Sequence, residues 1–209
     1  MKDSFWRRLW MLAFSYLVGF YASVLNRFRV VGAGYLPAKG GVLIASNHIS
    51  TYDAFFLAST VLKHQRMQML WIPAKEELFA KSLVGAILRS LGAFPVRRGR
   101  DVRAGEKIKQ LLEDQKVLLF PEGTRHQDGE LGKGNRGVGK LIYDSRSVVV
   151  PAALSGLNRW RLSGLGQPAR VVFGPPVDFS DLLTRENTKE THILIVKRLM
   201  ATIADLHAE

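Results

Sequence analysis

The chain has 209 residues, a formal net charge of +12 and no cysteine. With 47% apolar and 23% charged residues it has the composition of an ordinary globular chain, which excludes a disordered polypeptide, a collagen-like rod and a multi-pass membrane protein. The absence of cysteine excludes a disulfide framework, a thiolate nucleophile and a zinc–thiolate site, while so basic a surface favours an anionic partner: nucleic acid, acidic headgroups, or a polyanionic carrier or substrate.

Residues 9–25 carry no charge. As a helix this run reaches about 25 Å, short of the roughly 30 Å of bilayer hydrocarbon. Arg7 and Arg8 precede it, and Arg27 and Arg29 follow it. Basic residues at both ends set no orientation. Trp6, Trp10, Tyr16 and Tyr21 are of the interface-seeking kind. The segment reads as a monotopic or shallowly inserted helix with its ends in acidic headgroups. A cleaved signal peptide and a buried core helix are the competing readings. Ser15, Gly19 and Ser23 form a small-residue stripe along which another helix could approach. This divides the chain into a membrane-associated helix over residues 1–28 and a domain over residues 29–209.

Beyond residue 29, strand-like and helix-like pieces alternate. Residues 41–46 read as a buried strand, 54–62 as a helix and 67–72 as a strand. Residues 76–91 have helical spacing in Leu78, Phe79, Leu83, Val84, Ile87, Leu88 and Leu91. A short extended piece over 92–96 precedes an amphipathic helix over 103–115 and a buried strand over 117–120. Residues 135–144 read as a helix, 148–154 and 170–173 as strands, and 188–207 as a closing helix. Such alternation predicts an α/β fold, a mixed, largely parallel sheet flanked by helices.

Three short segments carry chemistry. His48 stands at the carboxyl end of the first strand, where open α/β sheets bind ligands. Asp53 falls near the start of the next helix, so the turn can bring its carboxylate to the imidazole. That pairing is the base and orienter of a triad, and a substrate hydroxyl can be the nucleophile. A capping Asp beside a hydrogen-bonded surface His fits the same spacing. Second, Arg97, Arg98 and Arg100 follow a short strand; guanidinium forks suit phosphate, and a solvated basic loop is the plainer reading. Third, a buried strand runs into Pro121-Glu122-Gly123-Thr124-Arg125, where Glu122 can accept from a polyol hydroxyl, Thr124 can support the turn and Arg125 can take a phosphate. Alone, it is a charged turn.

Together and in this order the segments resemble the glycerolipid acyltransferase family, in particular its lysophosphatidic acid acyltransferases. Asn47, His48 and Asp53 match the family's Asn-His-four residues-Asp motif. Gly92, Phe94 and Arg98 match its second motif, Phe120 to Arg125 its Phe-Pro-Glu-Gly-Thr-Arg motif, and Val148 to Ala153 its apolar strand with a proline. The resemblance spans about residues 29–178. Members can carry two apolar helices before the catalytic domain; here 46 residues precede the first motif, room for one long helix or a tight hairpin. Arg97 and Arg98 stand side by side, and the family's spacing favours Arg98 as the phosphate ligand.

The resemblance implies acyl transfer from an acyl thioester, acyl-CoA or acyl-carrier protein, to the free hydroxyl of lysophosphatidic acid, giving phosphatidic acid. His48 would be the general base and Asp53 its orienter; Arg98 and Arg125 would grip the acceptor phosphate, while Glu122, Gly123 and Thr124 shape the glycerol site. No metal and no further cofactor is expected. The expected partners are membrane lipids and the acyl donor, not nucleic acid, and the expected place is the cytoplasmic face of the cell membrane. Other acceptors remain open: glycerol 3-phosphate, another lysophospholipid or a lyso-ornithine lipid. So does a noncatalytic basic lipid-binding module.

Overall fold

A computed structural model describes residues 5–64, 69–80, 82–97 and 102–208. Seven strands form one sheet: β1 Arg27–Val31, β2 Val42–Ser46, β3 Leu70–Lys75, β4 Ala93–Val96, β5 Lys116–Leu119, β6 Val148–Ser155 and β7 Pro168–Phe173. Their spatial order is β1-β7-β6-β2-β5-β3-β4. The β6–β7 pair is antiparallel and every other pair is parallel. The helices are α1 Phe5–Phe20, α2 Asp53–His64, α3 Ser82–Ser90, α4 Val102–Leu111, α5 Arg136–Ser145, α6 Ser180–Leu183 and α7 Lys189–Ala208. The expected mixed, largely parallel sheet flanked by helices is the observed one.

All five residues of β2 are buried. A continuous apolar run is what a strand covered on both faces requires. Successive side chains then divide between two cores. Val42 and Ile44 join Leu118, Val150 and Leu154 under α2, where Phe56, Leu57 and Val61 pack. Leu43 and Ala45 join Val117, Val149 and Ala153 on the opposite face, under Ile108 of α4, Ile142 of α5, and Ile195, Leu199 and Ile203 of α7.

Helix α1 continues into a five-residue π-helical turn, Tyr21–Leu25. Met11, Ser15, Gly19 and Ala22 are buried while Ser23 is exposed, so the small-residue stripe holds for its first two members. Gly19 leaves room for Lys63 of α2, whose ammonium lies over the Tyr16 ring, and Phe14 packs against Phe55. The outward residues are large and apolar, among them Phe5, Leu17, Phe20 and Trp6, the last 75% exposed. Most of the helix surface is therefore open, unlike a buried core helix. Asn26 ends it: its side chain donates to the Tyr21 carbonyl and accepts from the Gln167 N–H, tying the helix end to the start of β7.

The strand expected over 67–72 is β3 Leu70–Lys75, with residues 67 and 68 outside the described residues, and the short α6 is an addition; three further details depart from the sequence expectation. Residues 76–91 form two pieces, a 3-10 turn Glu76–Phe79 and then α3. The Phe79 carbonyl lies 2.8 Å from where a Gly85 β-carbon would stand, so the turn folds back onto α3 while keeping the same apolar stripe. Strand β1 was not expected; it sits at the sheet edge with Phe28 as its one buried residue, so it lacks alternation, and it runs through residues 28 and 29. The amphipathic helix over 103–115 ends at Leu111, with Leu112 to Gln115 forming a turn.

Candidate active site

The β2–β5 register pairs Ala45 with Leu119. His48 and Glu122 each lie three residues beyond that pair, so the parallel register brings the two motifs together at the carboxyl ends of the central strands. The contact is direct: the His48 N–H donates to Glu122 Oε2 at 3.0 Å. The other carboxylate oxygen of Glu122 accepts from the Gly132 N–H at 3.0 Å, and the His126 N–H donates to the His48 carbonyl at 2.8 Å. Glu122 is buried and both its oxygens are engaged, so it frames the loop that carries His48. The polyol contact expected of it would have to share those oxygens.

Asp53 is the first residue of α2 and fully buried. A carboxylate there is favoured by the positive end of the helix dipole. Its Oδ2 accepts from the Ile49 N–H at 2.6 Å and the Ser50 N–H at 2.8 Å, and stands 2.8 Å from His48 Nδ1. Three donors on one oxygen fix the carboxylate and assign the proton to Nδ1. Nε2 makes no hydrogen bond among the described residues, on a side chain 21% exposed. The ring is also stacked face to face on Phe120, with centroids 4.0 Å apart and planes 14° apart. Asn47 does not reach the ring. Buried, it exchanges two hydrogen bonds with the Leu154 backbone, at 2.9 and 2.7 Å, and pins the end of β2 to β6.

Past β5 the chain turns at Gly123, whose N–H donates to the Phe120 carbonyl and whose φ of 70° lies in the left-handed region that glycine occupies without strain. Thr124 and Arg125 are exposed beyond the turn. The Arg125 side chain makes no hydrogen bond or ion pair among the described residues, and it directly precedes His126, whose N–H holds the His48 carbonyl. Arg97 is exposed and pairs with Glu76 at 2.9 Å. Arg98 lies outside the described residues.

The structure thus brings together His48, Asp53 and Glu122, and leaves Gly123, Thr124 and Arg125 on the turn between Glu122 and His126, both of which bond the His48 backbone. It gives a part to two residues to which the sequence reading assigned none. Phe120 stood in its motif without a role because its stacking partner is 72 positions away, and the clamping role of Asn47 rests on a partner 107 positions away.

Such a site can remove a proton from a hydroxyl set against Nε2, with a fixed imidazole and a stabilised imidazolium. Comparisons with known proteins identify the family. Residues 27–155 match the acyltransferase family model. The chain is 31% identical over 169 residues to the 1-acyl-sn-glycerol-3-phosphate acyltransferase of Bacillus subtilis, covering 78% of this chain and 82% of that one. It is 26% identical to the protein of the same name in Borreliella burgdorferi, covering 81% and 70%. The crystal structure of the 1-acyl-sn-glycerophosphate acyltransferase of Thermotoga maritima superposes with a TM-score of 0.69 at 20% identity, over 97% of this chain and 80% of that one. With the family model spanning the strand ends where His48 and Asp53 meet, the chain belongs to the glycerolipid acyltransferase family and is an acyl-transferring enzyme.

Proposed function

We propose that the enzyme transfers a fatty acyl group from an acyl thioester, acyl-CoA or acyl-carrier protein, to the free hydroxyl of lysophosphatidic acid, producing phosphatidic acid. The observation that carries this reading is the His48–Asp53 pair at 2.8 Å on a histidine side chain that stays 21% exposed. His48 Nε2 takes the hydroxyl proton as the oxygen attacks the thioester carbonyl carbon. The tetrahedral intermediate collapses with cleavage of the C–S bond, and the imidazolium returns its proton to the departing thiolate. Asp53 holds the ring and stabilises its charged form. General-base assistance of this kind contributes about 10² to 10⁴ in rate. The remainder comes from holding donor and acceptor together and stabilising the oxyanion.

Arg125, exposed beside the loop that carries His48, binds the acceptor phosphate, and Arg98 joins it. Gly123 and Thr124 line the glycerol, and Glu122 sets the loop that positions them. The enzyme works at the cytoplasmic face of the membrane, held there by the apolar segment Phe5–Leu25, within which an 18-residue stretch has a mean hydropathy of 1.4.

Thiol release by the purified protein tests the reading, with lysophosphatidic acid, glycerol 3-phosphate and a phosphate-free lyso lipid as acceptors and both thioester classes as donors. Lysophosphatidic acid should be the best acceptor. A wild type that prefers the phosphate-free acceptor refutes the substrate assignment.

A further inference from the structure

We propose that α3 is a second lipid-contacting element, which with α1 lays the enzyme on a bilayer carrying acidic headgroups. The proposal rests on the lipid-acceptor reading above and extends it to how the domain sits on its substrate's surface.

Helix α3 is amphipathic in the direction opposite to what a water-exposed helix needs. Leu83, Val84 and Ile87, one side of the helix by spacing, are exposed, Leu83 to 73%. Gly85 on the other side is buried against the backbone of Phe79. Leu78, in the turn before α3, is exposed as well. Scattered apolar residues on a surface are normal, but a contiguous group marks a contact.

This group continues that of α1. Trp10 Nε1 donates to Ser90 Oγ at 2.9 Å, and Arg7 Nε donates to the Ser90 carbonyl at 3.2 Å. The last turn of α3 is therefore tied to the first turns of α1, where Phe5, Trp6, Leu9 and Trp10 face outward.

Three observations favour lipid as the occupant. The α1 segment has the length and hydropathy of a membrane helix. Tryptophans at the junction suit the boundary between acyl chains and headgroups. The cations there, Arg7 and the exposed Arg89, complement acidic headgroups, as does a chain of charge +12. A nine-residue helix is only about 14 Å long. It cannot span, and so it lies in the interface. One inserted rod leaves the domain free to turn about the rod's axis. A second contact beside it removes that freedom and fixes which side of the domain meets the lipid.

The cysteine-free chain allows single spin labels in the full-length protein at Leu83→Cys, Ile87→Cys and, on the exposed side of α7 across the sheet, Ala204→Cys. Vesicles of phosphatidylcholine with a minority of phosphatidylglycerol are the probe. Adding them should raise collisions with oxygen and lower collisions with a water-soluble nickel chelate at positions 83 and 87, leaving 204 unchanged. In the same full-length chain, Leu83→Ser combined with Ile87→Ser should lower vesicle partitioning about ten- to hundredfold while thiol release with a soluble short-chain acceptor is kept.

Unchanged labels at 83 and 87 overturn the proposal, whether or not the protein sediments with vesicles. So does shielding that appears without vesicles and grows with protein concentration, which assigns the face to a second copy. A wild type whose labels insert as expected, but which acylates no lysophosphatidic acid, refutes the acceptor reading and leaves the α3 contact standing.

Discussion

Two histidine neighbourhoods in this molecule use similar parts to opposite ends. At the end of β2, His48 faces a buried carboxylate that three donors hold, keeps part of its ring in solvent and stacks on Phe120. In the first turn of α7, His192 is buried, its Nε2 lies 2.7 Å from the amide oxygen of Asn187, and its Nδ1 has no hydrogen-bond partner among the described residues. Tyr143 stands edge-on to the ring, and the Gly139 α-carbon packs so close to the His192 carbonyl that a β-carbon would lie 2.0 Å from it. A carboxylate partner and a partly exposed ring give a base that can gain a proton during a reaction. An amide partner and full burial give a ring that must stay neutral to fit. Fixing an imidazole does not by itself suit it to a reaction; the two rings differ in partner, carboxylate against amide, and in access to solvent.

The comparison breaks first at His48. His48→Ala should lower turnover at least a hundredfold with an unchanged thermal melt, whereas His192→Gln should leave kcat within about twofold. Asp53→Asn should cost nearly as much as His48→Ala, and the double variant little more than either, because the two act as one unit. If His48→Ala keeps more than a tenth of wild-type thiol release, the base has been assigned to the wrong group.

Arg125 tests whether the acceptor is presented to His48. Losing a charge-assisted hydrogen bond to phosphate costs about 1.5–3 kcal/mol, so Arg125→Ala should lower kcat/KM for lysophosphatidic acid about ten- to 150-fold. Lysine should recover only part of this, since an ammonium cannot make the bidentate fork. Equal losses on a phosphate-free acceptor would place Arg125 in the fold or at the donor.

Phe120 sharpens the contrast on a smaller scale. An aromatic pair contributes about 0.5–1.5 kcal/mol beyond its burial. Phe120→Leu should therefore lower kcat about two- to tenfold with KM nearly unchanged, and Phe120→Tyr should restore most of the loss. Failure of Tyr to rescue would reduce Phe120 to core packing.

These residues were legible in the sequence to different degrees. The order of buried strands and helices followed from apolar runs such as Val42–Ser46, because burial on both faces leaves a mark in every residue. The edge strand β1 left no such mark, nor could spacing foretell that β7 runs antiparallel to β6. His48 and Asp53 were readable because only four residues separate them and one turn joins them. Glu122 was found by its motif, but its partners, the His48 and Gly132 N–H groups, are set by the β2–β5 register. The resting partner of Arg97 is Glu76, 21 positions away. Local chemistry was written in the spacing, while the long-range clamps were written in the sheet.

The smallest effect belongs to His192 and appears in stability rather than rate. Burial lowers its pKa below the ordinary histidine value of 6.5, and the positive charges of Lys140 and Arg136 act in the same direction, against Asp144 and Glu190. The unfolded chain therefore takes up this proton at a higher pH than the folded one. Stability from the neutral ring is complete above about pH 6.5 and is lost as the pH falls through the ordinary range towards the depressed value. Other groups titrate in the same window, so the wild-type slope alone decides nothing. The difference from His192→Gln isolates it, because an amide keeps a partner for Asn187 and carries no proton to bind. Between pH 7.5 and 5.5 the wild-type Tm should fall further than that of His192→Gln. Parallel Tm curves would show that the folded protein accepts the charged ring at α7, and the contrast between the two histidines would then rest on solvent access alone.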